Sequence, residues 1–174
     1  LLFKKIYLVD LFDNADIYKE FKYIVTEVKS DGSGFVICGN IKIKTPNINF
    51  NDAFVLKVNN LGIYQWFNRY TIPASQTACF NSIQPIMNGA TASGYAVCGY
   101  RIDATSTKRA IVTQIDSVGN IVAPLLQINQ PTVAGKYQNS EFKKMIFYAN
   151  KIYALVGTCG LIIDSCNKNS QSNV

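Results

Sequence analysis

Histidine is absent from all 174 residues. That removes the usual general base, the commonest zinc ligand and the standard partner of a catalytic Ser or Cys. Charged residues are scarce at 16%, against 48% hydrophobic and 12% aromatic content, which excludes a disordered tail, a coiled coil and a polar linker. No apolar run is long. The richest, Ile152 to Ile163, covers twelve residues and is broken by Gly157, Thr158 and Gly160, short of the roughly 20 needed for a membrane-crossing helix. A chain of this size buries roughly 70% of its unfolded surface without disulfide staples, so a compact body is expected.

Acidic residues are also few. Eleven Asp and Glu against seventeen Lys and Arg leave a net charge of +6, but the basic residues come as separate pairs (Lys4-Lys5, Lys42 with Lys44, Lys108-Arg109, Lys143-Lys144) rather than the concentrated stripe of a nucleic-acid groove. No specific nucleic-acid partner is expected. The five cysteines do not have the spacing of a small disulfide framework, and an odd number leaves one thiol free or paired outside the chain. Cys159 and Cys166 flank a six-residue segment and either bridge a hairpin or remain thiols. The chain opens at Leu1 with no Met and no secretory pattern before its first strand-like segment, which reads as a processed or trimmed piece.

What the chain does contain is a repeat. Gly34-Phe35-Val36-Ile37-Cys38-Gly39 returns sixty positions later as Gly94-Tyr95-Ala96-Val97-Cys98-Gly99, and more weakly as Tyr153-Ala154-Leu155-Val156-Gly157. Ala53 to Gly62 aligns without gaps on Ala110 to Gly119, and Phe21, Phe80 and Phe142 each open an apolar run. The first copy reads as strands over Phe21–Val28, Gly34–Ile43, Ala53–Val58 and Ile63–Tyr70, rich in Val, Ile, Phe and Tyr and bounded by turn residues. Asp31-Gly32-Ser33-Gly34 and the matched Asn59-Asn60-Leu61-Gly62 and Asp116-Ser117-Val118-Gly119 read as glycine-bearing hairpin turns. Pro46, Pro73 and Pro131 fall in linkers, whereas Pro85 and Pro124 interrupt strand-like runs and mark edges or bulges. The nearly unbroken apolar character of Phe35 to Cys38 and Tyr95 to Cys98 predicts strands buried on both faces, with Cys38 and Cys98 as small buried hydrophobes.

Four short strands at a period of forty to sixty residues suggest β-propeller blades. The pattern of a Gly-led apolar strand, an apolar strand ending in Asn or Asp, then x-x-Gly and a Trp four residues on resembles the blade repeats of large secreted and cell-surface bacterial proteins. Asn59, Gly62 and Trp66 carry it in the first copy; Asp116 and Gly119 carry it in the second, where Ala123 replaces the Trp. Kelch-like propellers are a more distant likeness, lacking here their double glycine. The resemblance covers roughly residues 21–165 and implies an all-β fold of about three four-stranded antiparallel repeats. It assigns residues 1–20 to a strand of a preceding or closing blade plus linker, 21–79 and 80–140 to full repeats, and 141–174 to a partial third, within one domain. Closed propellers typically use four to eight blades. The expectation is therefore an open fragment or a ring completed by oligomerisation, with Leu1 to Val9 adding a strand to one end.

No carboxylate pair for glycoside hydrolysis is evident, and Asp10, Asp13 and Asp16 with Asn14 lack the Gly and distal Glu of a calcium loop. No metal or cofactor is expected. Trp66, with Arg69 and Tyr70 beside it, either stacks on a sugar or peptide or wedges between neighbouring blades. The loop carrying Asn47 and Asn49 and its counterpart at Asp103 differ on a repeated frame, as recognition loops do. The sequence thus reads as a non-enzymatic binding or scaffold module of a secreted or cell-surface protein, recognising a protein or glycan. The alternatives are a propeller enzyme with a carboxylate site, or a self-assembling lectin.

Overall fold

The computed structural model describes residues 20–44, 49–72, 75–128, 139–148 and 152–160. Leu1 to Val9, Asp10 to Asp16, Pro46, Asn47, Pro73, Pro131 and Cys166 lie outside these. The described residues form strands and turns without helix, so none supplies a helix long and apolar enough to cross a membrane.

The strands are β1 (Glu20–Ser30), β2 (Gly34–Lys44), β3 (Asn49–Asn59), β4 (Tyr64–Tyr70), β5 (Ser75–Asn88), β6 (Thr91–Asp103), β7 (Lys108–Asp116), β8 (Leu126–Ile128), β9 (Asn139–Tyr148) and β10 (Ile152–Gly160). The expected strands of the first copy match β1 to β4 to within a few residues, the largest difference being the earlier start of β3. β1 to β4 form one antiparallel meander and β5 to β8 a second, joined by a single parallel pair, Asn51↔Thr77. β9 and β10 form a separate antiparallel hairpin. The outcome is an all-β chain with a mixed eight-stranded sheet, and no closed sheet forms among the described residues. Because β5 begins at Ser75 and β9 at Asn139, the strand units start slightly before the expected boundaries at 80 and 141.

Turn chemistry sets the hairpins. Asn59 Oδ1 accepts the amides of Leu61 and Ile63 at 2.9 and 2.8 Å, and Gly62 takes φ +70°. Asp116 Oδ1 repeats this with Val118 and Asn120, at 3.0 and 2.8 Å, and Gly119 takes φ +88°. An L side chain at either glycine would be strained. Pro85 lies where β5 pairs with β6 alone, on an edge, between register shifts at Phe80/Ser82 and Ile86/Met87. Pro124 precedes β8, which is only three residues long.

Each inner strand carries an extra residue at the equivalent place. Thr26 in β1, Asn81 in β5 and Lys143 in β9 are skipped in the pairing, and opposite them stand Gly39, Gly99 and Gly157. A Cβ on these glycines would fall 2.0, 2.0 and 2.1 Å from the carbonyl oxygens of Ile24, Cys79 and Glu141. The bulge brings the inner backbone against the closing glycine of the repeated motif, so only hydrogen fits there. The structural equivalent of Phe80 and Phe142 is therefore Val25, the residue before the bulge, rather than Phe21, which pairs with Ile43.

The two meanders of the eight-stranded sheet, β1–β4 (the first sheet) and β5–β8 (the second sheet), stack face to face. Val36, Cys38 and Val55 of the first sheet meet Phe80, Ile83, Tyr95, Val97 and Ile111 of the second in the main core. Ala96 and Cys98, on the other side of the second sheet, meet Met145 of the hairpin, with Phe142 and Leu155 packed beside them. The Gly94–Gly99 strand thus has both faces covered, as its continuous apolar character requires, whereas its first-copy equivalent is covered on one face only, with Phe35 39% exposed on the other.

Candidate functional site

β3 starts, and β6 ends, at the same end of the fold, because Asn51 pairs with Thr77 and Thr77 with Ile102. The β2–β3 and β6–β7 connections emerge there. The β6–β7 turn is built by Asp103, whose Oδ1 accepts the amides of Thr105 and Thr107 at 3.0 and 3.1 Å. Ser106 sits at φ +60° where the other two Asx turns place glycine. Arg109 Nε donates to Asp103 Oδ2 at 2.6 Å. Burial would raise the Asp103 carboxyl, but the bonds from Thr105 and Arg109 outweigh it and hold the group well below the usual range.

Nearby, Arg69 Nε lies 3.2 Å from Asp52 Oδ2, which also accepts from Thr71 Oγ1 at 3.1 Å. Asp52 is nonetheless held above its ordinary value, since burial outweighs both partners. Asn51 Nδ2 donates to Thr77 Oγ1 at 3.3 Å, while its buried Oδ1 has no hydrogen-bond partner among the described residues. Lys108 lies over the Tyr100 ring, 4.3 Å from its centroid, and 3.4 Å from Glu141 Oε2.

The residues singled out from sequence divide into two groups. Asp103 and Arg69 lie in the polar cluster at the loop end; Asn49 opens β3 there, and Asn47 lies outside the described residues. Trp66 and Tyr70 face the seam between the first and second sheets instead. The Trp66 ring is 6.0 Å from that of Tyr95 and packs on the main core. Tyr70 is buried and donates to the Gly119 carbonyl at 2.7 Å. Asn68 holds the same turn through the Val118 carbonyl at 3.1 Å. A Cβ on Gly119 would meet Asn68 Nδ2 at 2.3 Å and the Trp66 ring at 2.8 Å, so Trp66 and the matched turn of the next repeat fit each other.

Two polar networks in the same seam escaped the sequence reading. Asp31, Lys57 and Tyr95 are buried together: Lys57 Nζ donates to Asp31 Oδ1 at 2.7 Å and Tyr95 Oη to Oδ2 at 2.6 Å. Burial raises the Asp31 carboxyl, yet the bonds from Lys57, Tyr95 and Ser33 together bring it below its ordinary value. Glu27 Oε2 accepts from Ser82 Oγ at 2.6 Å and from the Ile83 amide at 2.7 Å, and Lys144 reaches its other oxygen. Its carboxyl is likewise lowered against burial by Lys144, Ser82 and Ile83. The only signal for either network was an acidic residue inside or just after an apolar strand.

Cys38, Cys79 and Cys98 are free and buried. Burial pushes the thiols up to about 12, 11 and 12 respectively. Among the described residues no group of three or more Cys, Asp or Glu is placed to hold a metal ion. No protein-family model matches the chain, and comparison with curated proteins and with solved structures finds no match.

Proposed function

We propose that the chain is a binding or scaffold module of a secreted or cell-surface protein, its repeats being successive blades of a β-propeller. The β2–β3 and β6–β7 loop end meets a protein or glycan ligand. The observation that carries this reading is the contrast between frame and loops. Ala53 to Gly62 and Ala110 to Gly119 occupy the same strand-and-turn frame in successive sheets, while the four-residue connections leading into them, 45–48 and 104–107, differ in residues, Thr-Pro-Asn-Ile against Ala-Thr-Ser-Thr. The buried Asn51 Oδ1 at the same end, without a hydrogen-bond partner among the described residues, offers an acceptor to a ligand donor. The carboxylates found there, Asp52, Asp103 and Glu141, are held in ion pairs, which suits a rigid recognition frame.

The test is binding of the purified chain to immobilised panels of glycans and extracellular proteins, repeated after residues 45–48 are replaced by Gly-Ser-Gly-Ser and after Asn51→Ala. Binding that both changes abolish, with melting temperature retained, supports the reading. Absence of binding to any panel member, or binding indifferent to both changes, refutes it.

A further inference from the structure

In the second sheet Ile83 pairs with Val97 and Val97 with Thr113, a row across one face that the first sheet covers to 0, 0 and 3% exposure. The bulge and motif alignment makes Val28, Ile37 and Leu56 the equivalent row of the first sheet. These pair in the same order and continue to Phe67, and Phe67 stacks on Phe54 at 5.7 Å. Here no sheet among the described residues covers the β1 side of the face, where Val28 is 50% exposed with Val25 at 54% and Phe35 at 39%, while Ile41, Phe54 and Val58 farther across the same face are buried at 0, 2 and 4%.

The opposite end of the stack has the complementary defect. Val156 occupies the position that Cys38 and Cys98 fill at 0% exposure in the two preceding sheets, and it is 57% exposed, with Ile146 at 53%. The polar contacts between sheets extrapolate in the same way. Thr26 donates to the Phe80 carbonyl and Asn81 to the Phe142 carbonyl. Lys143, the next bulge residue, carries three ammonium donors, one of them directed at Glu141 Oε1 at 2.6 Å within the chain, and the equivalent acceptor for another is the Val25 carbonyl at the open face of the first sheet.

We propose that this open face of the first sheet docks the β9–β10 hairpin of a second copy of this chain, head to tail, through the contacts that join successive sheets within one copy. The inference stands on the stacking geometry and goes beyond ligand recognition at the loop end. The contact is heterologous, so it joins two different surfaces and propagates until a ring closes.

The test uses light scattering on the whole chain, on Val25→Glu/Val28→Glu and on Val156→Glu, each checked for an unchanged melting transition. The expected result is a wild-type oligomer, two monomeric variants, and a one-to-one heterodimer when the variants are mixed, since each retains the surface the other has lost. Lys143→Ala, which leaves the apolar faces intact, is expected to weaken wild-type assembly about tenfold, the loss of one charge-assisted hydrogen bond. A wild-type monomer at every concentration reached overturns the proposal. So does an oligomer that survives both sets of substitutions, or a mixture of variants that stays monomeric.

Discussion

Thr26 Oγ1 donates to the carbonyl of Phe80 at 2.5 Å, and one sheet further on Asn81 Nδ2 donates to the carbonyl of Phe142 at 2.7 Å. Both donors are bulge residues, and both acceptors are residues immediately before the next bulge. The residues after the bulges repeat the relationship: Glu27 accepts the Ile83 amide at 2.7 Å and Ser82 the Met145 amide at 3.2 Å. One operation therefore carries sheet one onto sheet two and sheet two onto the hairpin. The bulge is the device that turns a side chain of the inner strand toward the next unit.

Gly39→Ala and Gly99→Ala are expected to destabilise the fold by about 3 kcal/mol each, the upper end for forced overpacking, because the new Cβ meets backbone that cannot rotate away. Gly89→Ala is the control. Open space surrounds Gly89, and its only obstacle is φ +68°, worth about 1 kcal/mol. Urea unfolding of the three variants checks the order; equal losses would detach the motif glycines from the bulges.

Removing Lys57 as Lys57→Met leaves the Asp31 carboxylate buried with a donor missing, and a loss of about 3–5 kcal/mol is expected. Asp31 is lowered from its ordinary value of roughly 4. Its contribution is therefore complete above that pH and disappears as the pH falls through the lower folded value. Asp31→Asn should accordingly trail wild type most at neutral pH and converge with it in acid, read by urea midpoints across a pH series. A deficit independent of pH would remove the ion pair from the account.

Thiols pushed up to about 11 and 12 by burial stay protonated and shielded at neutral pH. Iodoacetamide is expected to leave the peptides containing Cys38, Cys79 and Cys98 unmodified in the native chain and to label all three in urea. Mass spectrometry of the digests reads the difference. Rapid native labelling of Cys38 or Cys98 would contradict the sheet-on-sheet packing that covers them.

Trp66→Ala removes a ring that packs on Tyr95 and on the Gly119 turn, and a loss of about 2 kcal/mol is expected for a half-buried Trp. Thermal melts check this. An unchanged melting temperature with lost ligand binding would instead place Trp66 at a recognition surface.

The strands were legible because their Val, Ile, Phe and Tyr content and their Asn-x-x-Gly and Asp-x-x-Gly turns are local features, and the gap-free match of Ala53 to Gly62 with Ala110 to Gly119 survives as strand-for-strand equivalence. The bulges were not legible. Thr26, Asn81 and Lys143 share only a donor atom, and an extra residue shifts the alternation without leaving a motif, which is why Phe21 stood in for Val25 as a landmark. Asp103 was hidden as a turn former because Ser106 takes the left-handed position where glycine was the signal. The hydrogen bond of Tyr70 leaves no local signal beside Trp66 and Arg69, because its partner, the Gly119 carbonyl, lies 49 residues away in sequence. Contacts of that range depend on how sheets stack, which periodicity within one strand does not report.

Amide hydrogen exchange followed by NMR tests the repeated stacking most directly. The Ile83 and Met145 amides donate to side chains of the preceding sheet's inner strand, Glu27 and Ser82. Both are predicted to exchange as slowly as the central ladders, with Glu27→Ala releasing Ile83 and Ser82→Ala releasing Met145. Exchange of both amides at the rate of open loops in the wild-type chain would contradict the stacking.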